Sequence, residues 1–109
     1  MKKILQFFAV MMFAAMAPVQ AQEARVRVIN EAGATVQSVY VSHSSRSGWG
    51  PDRLGSRVLP SGYNTTIYPN DGTSRCIYDL RAEFVDGRST QRFDANICGG
   101  ADWTLYTRD

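Results

Sequence analysis

The chain is poor in the residues that most chemistry needs. Histidine occurs once, as His43, and cysteine twice, as Cys76 and Cys98. One imidazole and singly scattered carboxylates do not furnish the three or four ligands of a transition-metal site. No cofactor and no metal are therefore expected. Lysine is confined to positions 2 and 3, so every basic side chain beyond them is an arginine. The whole chain carries 12 Lys+Arg against 10 Asp+Glu, and with the two lysines set aside ten arginines face ten carboxylates. A neutral stretch without a basic cluster gives no reason to expect nucleic acid or an anionic membrane as partner.

Long apolar runs are equally scarce. Ile4 to Ala17, about 14 residues, is too short to cross a bilayer comfortably. Lys2 and Lys3 precede it, and Val19-Gln20-Ala21 supplies small residues before a cut between Ala21 and Gln22. Residues 1–21 thus read as a cleaved signal peptide, and the protein as exported, with the bacterial periplasm its expected compartment. No cysteine stands at the cut, so no lipid anchor is expected. In a eukaryotic secretory pathway Asn64-Thr65-Thr66 would be a glycosylation acceptor.

Residues 22–109 are enough for one domain with a small core. Two cysteines in an oxidising compartment predict one disulfide, Cys76–Cys98. Helical periodicity is absent, and β-branched and aromatic residues recur between Gly, Pro, Asn and Asp. Seven strands are predicted: Arg25–Ile29, Val36–Ser42, Arg57–Leu59, Tyr63–Tyr68, Cys76–Val85, Arg88–Ile97 and Asp102–Thr107. The expected fold is an all-β sandwich of immunoglobulin-like or transthyretin-like topology, with a small β-barrel as the alternative.

Cys76–Val85 has the clearest pattern. Tyr78, Leu80, Ala82 and Phe84 alternate with Asp79, Arg81 and Glu83. Asp86-Gly87 predicts a two-residue hairpin turn. That turn pairs Val85 with Arg88, Leu80 with Phe93 and Tyr78 with Ala95, all apolar where a core face requires it. Cys76 then falls opposite Ile97, and a one-residue bulge near Asn96 would bring Cys98 to it. On the outer face, the diagonals Asp79–Arg92 and Arg81–Asp94 are complementary.

Candidate chemistry is thin. Ser42-His43-Ser44-Ser45 offers a hydroxyl beside an imidazole, but neighbours on a loop do not fix a nucleophile against its base. Asp71 and Asp86 sit in glycine turns, where turn formation explains them better than calcium does. The loop of residues 42–53 looks more like recognition. Trp49 between two glycines, with Arg46, Asp52 and Arg53, has the make-up of a contact surface: one amphipathic anchor plus adaptable polar groups. The competing expectation folds Trp49 back as a lid over one end of the core.

Trp49-Gly50-Pro51-Asp52-Arg53-Leu54-Gly55 and Cys76-Ile77-Tyr78-Asp79-Leu80-Arg81, with the second cysteine, resemble a family of small exported proteobacterial proteins. Those proteins carry a signal peptide, a W-G-x-D-x-L-G segment and a C-x-Y-D-L-R segment. The resemblance implies a periplasmic protein with paired cysteines. It carries no activity, so no catalytic residue transfers with it. Within the motif, Asp52 is expected to cap the turn into Leu54. The functional expectation is a monomeric, non-catalytic binding module for another periplasmic or cell-envelope protein or ligand. Inhibition of an exported hydrolase, in the manner of a lysozyme inhibitor, is the alternative.

Overall fold

Alternating apolar residues separated by turn formers produce strands, and among the described residues there is no helix. The computed structural model describes residues 23–44 and 46–107; the expected signal peptide, Gln22 and Ser45 lie outside the described residues. Six strands form, β1 Val26–Glu31, β2 Val36–His43, β3 Asn64–Ile67, β4 Ile77–Phe84, β5 Ser89–Asn96 and β6 Ala101–Tyr106. They make two three-stranded sheets, ordered β3-β1-β6 and β2-β4-β5, and the arrangement is a small sandwich. β1 pairs antiparallel with β3 and parallel with β6.

Strand order follows from the inward residues. Val26 and Val28 of β1, Val39 and Val41 of β2, and Trp103 and Leu105 of β6 are buried between the sheets. Tyr78, Leu80, Ala82 and Phe84 of β4 join them, so the predicted alternation of β4 holds along its length. Asn30 is the one fully buried side chain of β1 that is not apolar.

The expected seventh strand, Arg57–Leu59, is absent. It shrinks to a single bridge between Leu59 and Val36, because Pro60 follows at once and cannot donate to a ladder. The count is therefore six rather than seven.

The β4–β5 hairpin differs from expectation in its turn. The loop has three residues, Val85–Asp86–Gly87, closed by Phe84 N–H to Arg88 O (2.8 Å) and Gly87 N–H to Phe84 O (3.0 Å). A two-residue turn needs positive φ at both central positions. Here Gly87 has φ 93°, while Asp86 does not have positive φ. Arg88 consequently faces Phe84, and its guanidinium lies 4.8 Å from that ring's centroid.

One added turn residue shifts the register. Leu80 pairs with Arg92, not with Phe93. A bulge at Phe93 and Asp94 restores the expected pairs Tyr78–Ala95 and Ile77–Asn96. Asp94 sits at φ 55°, left-handed backbone that a short polar side chain tolerates. The bulge expected near Asn96, which would set Cys98 opposite Cys76, does not form; the bulge of this ladder lies at Phe93 and Asp94, and Phe93 turns away from the core. Cys76 does face Ile97, through Ile97 N–H to Cys76 O (2.9 Å), and the Cys76–Cys98 disulfide forms (Cα–Cα 5.0 Å).

Candidate functional site

The segment after β2 turns back on its own strand. Arg46 N–H donates to His43 O (3.0 Å), and the buried Ser42 hydroxyl donates to the Trp49 carbonyl. These bonds lay Trp49 against the outer face of the β2-β4-β5 sheet. Its half-buried ring lies between Tyr40 (centroids 6.3 Å apart, 48°) and Phe93 (6.2 Å, 37°), tilted contacts of the kind aromatic pairs favour. Trp49 is therefore not a lid on the core. It is the middle ring of three on the opposite surface of one sheet.

Polar groups border that strip. Tyr40 OH reaches Glu83 Oε1 (3.5 Å), and Arg81 Nε donates to Glu83 Oε2 (3.0 Å). The expected diagonals are not formed. Arg81 turns to its own strand's Glu83, and Asp79 Oδ1 instead accepts the Asp94 N–H that the bulge frees (2.9 Å). Ser44 Oγ donates to Asp94 Oδ1 (3.2 Å). Arg46 folds its guanidinium over Gly50, where a Cβ would come within 3.2 Å of Cζ. A recess of about 100 Å³ between Arg46, Trp49 and Asp79 is smaller than a typical small-molecule pocket. The surface is a face rather than a cleft.

The four contact residues expected from the sequence separate into two pairs. Arg46 and Trp49 share the outer face. Asp52 and Arg53 instead bind the loop to the edge of β2. Asp52 Oδ1 accepts Leu54 N–H (2.9 Å), the turn cap that the motif predicts, and also Val39 N–H (3.0 Å). Arg53 N–H donates to Val39 O (2.6 Å), while its guanidinium reaches Pro69 O (2.9 Å) and Val41 O (3.4 Å). Together these bonds cover an edge that would otherwise offer unpaired backbone groups.

Sequence reasoning passed over Tyr40 and Phe93. Tyr40 carried a signal, since it alternates with Val39 and Val41 and must point outward. Phe93 carried none, because its orientation depends on a turn and a bulge.

The other candidates are engaged elsewhere. Ser42 directs its proton at Trp49 O rather than at His43. Asp71 accepts from Thr73 N–H (3.1 Å), Thr73 Oγ1 (2.8 Å) and Tyr78 OH (2.8 Å). Desolvation raises the Asp71 pKa, but these bonds outweigh it and hold the carboxyl below its usual range. Desolvation, aided by the bond to Asp71, raises the Tyr78 phenol. Among the described residues, no three His, Cys, Asp or Glu side chains gather as a metal site would require. Comparison with protein-family models, with curated proteins and with solved structures returned no match.

Proposed function

We propose that this is an exported, periplasmic, non-catalytic binding module whose contact surface is the Tyr40–Trp49–Phe93 face. The observation that carries the reading is Phe93. A regular hairpin would bury it opposite Leu80, yet a three-residue turn together with a bulge at left-handed Asp94 turns it out, where it is 58% exposed. Bulges recur beside functional sites because they re-aim a side chain, and a strained residue persists only where its surroundings hold it. A large aromatic placed outward beside a half-buried Trp has the composition of an interface hot spot with a polar rim. The disulfide in so small a domain is compatible with export. The partner is another envelope protein or ligand, held tightly enough to stay with the purified protein.

Inhibition of a hydrolase calls for a loop that stands clear of its scaffold. Trp49 is bound down to the sheet, so no observation favours that alternative.

Native mass spectrometry of the protein recovered from its own host tests the reading. An adduct should survive in Val85→Ser, altered at the exposed hairpin tip, and disappear in Phe93→Ser. Both variants should melt close to the parent, since neither residue is in the core. A bare monomer, or an adduct indifferent to Phe93, would overturn the reading.

A further inference from the structure

A second surface lies on the other sheet, and different observations carry it. Among the described residues β3 is an edge strand that pairs only with β1. Asn30 N–H donates to Tyr63 O (3.0 Å), so the bonded pairs along this ladder involve residues 63, 65 and 67. Antiparallel alternation then turns the N–H and C=O of Asn64 and Thr66 outward, away from β1.

Those groups face a groove of about 470 Å³ between β3 and the segment running from Arg53 to Pro60. Native sheets usually blunt such an edge with charge, proline or a bulge. Asn64-Thr65-Thr66-Ile67 has none of these. The groove is instead flanked by exposed apolar groups, Val58 at 52%, Tyr63 at 63% and Tyr68 at 44%. Its only charged lining side chains are Arg53 and Arg57. Arg53 Nε is also buried without a hydrogen-bond partner.

We infer that the open edge of β3 is a strand-addition site for an extended acidic peptide. An unpaired edge offers donors and acceptors at the spacing of another backbone, and only an extended chain matches them. Apolar flanks take alternate side chains of the added strand. Exposed Arg57 selects an acidic side chain, Arg53 adds positive charge while held to Pro69 O and Val41 O, and no carboxylate lines the groove. The same charge disfavours a second copy of this chain, whose β3 would bring Arg57 toward Arg57.

The probe is a blocked hexapeptide of alternating valine and glutamate, with its valine–glutamine counterpart as control. Backbone amide exchange is followed by NMR on the mature protein, with peptide at about 1 mM, the weak end of useful affinity. The glutamate peptide should slow exchange at Asn64 and Thr66 at least tenfold, while Thr65 and Ile67, already bonded to β1, stay as they were. Arg57→Glu should weaken the effect tenfold or more, and Val85→Ser should leave it intact. Arg57 is exposed, so this variant should fold, and its own spectrum shows whether it does. The proposal is overturned if the outward amides stay unprotected or if the glutamine peptide protects them equally. It is also overturned if protection grows with protein concentration alone, which would make the occupant a second copy.

Discussion

Asn30 shows how one buried polar residue organises a sandwich this small. Its side chain is fully buried. Nδ2 donates to Ala34 O (2.8 Å) and to Leu59 O (2.9 Å), and Oδ1 accepts Ala32 N–H (2.9 Å). Every group the amide offers for bonding at that depth is used, and Ala34 O and Ala32 N–H of the β1–β2 turn depend on it, while Leu59 O also accepts Val36 N–H (2.9 Å). A buried polar group that loses its partner costs about 1–3 kcal/mol, and relaxation or water entry recovers part of that. Asn30→Ala should therefore lower stability by about 2–4 kcal/mol, read by urea denaturation. Asn30→Leu should be no better, since it fills the volume but leaves Ala34 O and Ala32 N–H unpaired. A loss below about 0.5 kcal/mol in Asn30→Ala, the range of ordinary surface changes, would remove Asn30 from this role. Nothing in the sequence singles Asn30 out, for it reads there as the polar end of a strand before a glycine turn.

At the scale of elements, the strands that follow strict alternation are the legible ones. β1, β2, β4 and β6 lie within a residue or two of where their patterns place them, because a buried face fixes which residues must point inward. β5 is harder. Its position follows from β4, but its register depends on how many residues Asp86-Gly87 consumes, and the choice between two and three is made by backbone angles. That single residue, with the bulge that follows it, moves Phe93 from the core to the surface, so one of the three rings of the aromatic face was beyond reach of the pattern. The bulge can be tested directly. Asp94→Val puts a β-branched side chain at φ 55° and should cost about 1–3 kcal/mol, whereas Asp94→Gly should lie within about 1 kcal/mol of the parent. Trp49 emission should shift in the valine variant if the hairpin escapes by pairing without the bulge. Equal stability of the valine and glycine variants would mean that Asp94 is not held left-handed in solution.

For the whole molecule, the question is what keeps two three-stranded sheets together. The Val36–Leu59 bridge lies on the side of the β2 edge. The Cys76–Cys98 disulfide serves the other end. Cys76 leads into β4 of one sheet, while Cys98 bridges Ala24, just ahead of β1 in the other. Arg25 N–H to Ile97 O (3.0 Å), Gly99 N–H to Glu23 O (2.9 Å) and Ala101 N–H to Arg25 O (3.1 Å) cluster around that bond. The cysteine count alone predicts the pairing; that it staples one sheet to the other follows only from the strand order. Cysteines 22 apart in sequence close a loop whose constraint on the unfolded chain is worth about 3 kcal/mol. For a domain of this size that corresponds to a fall in Tm of about 12–24 °C when both cysteines become alanine. The loss should also be local before it is global. In the double variant, amide protection should fall first at Arg25, Gly99 and Ala101, while Val39 and Leu80 in the other sheet keep theirs until the domain unfolds as a whole. Uniform loss across both sheets would instead make the disulfide a constraint on the unfolded chain alone, with no part in holding this end of the sandwich shut.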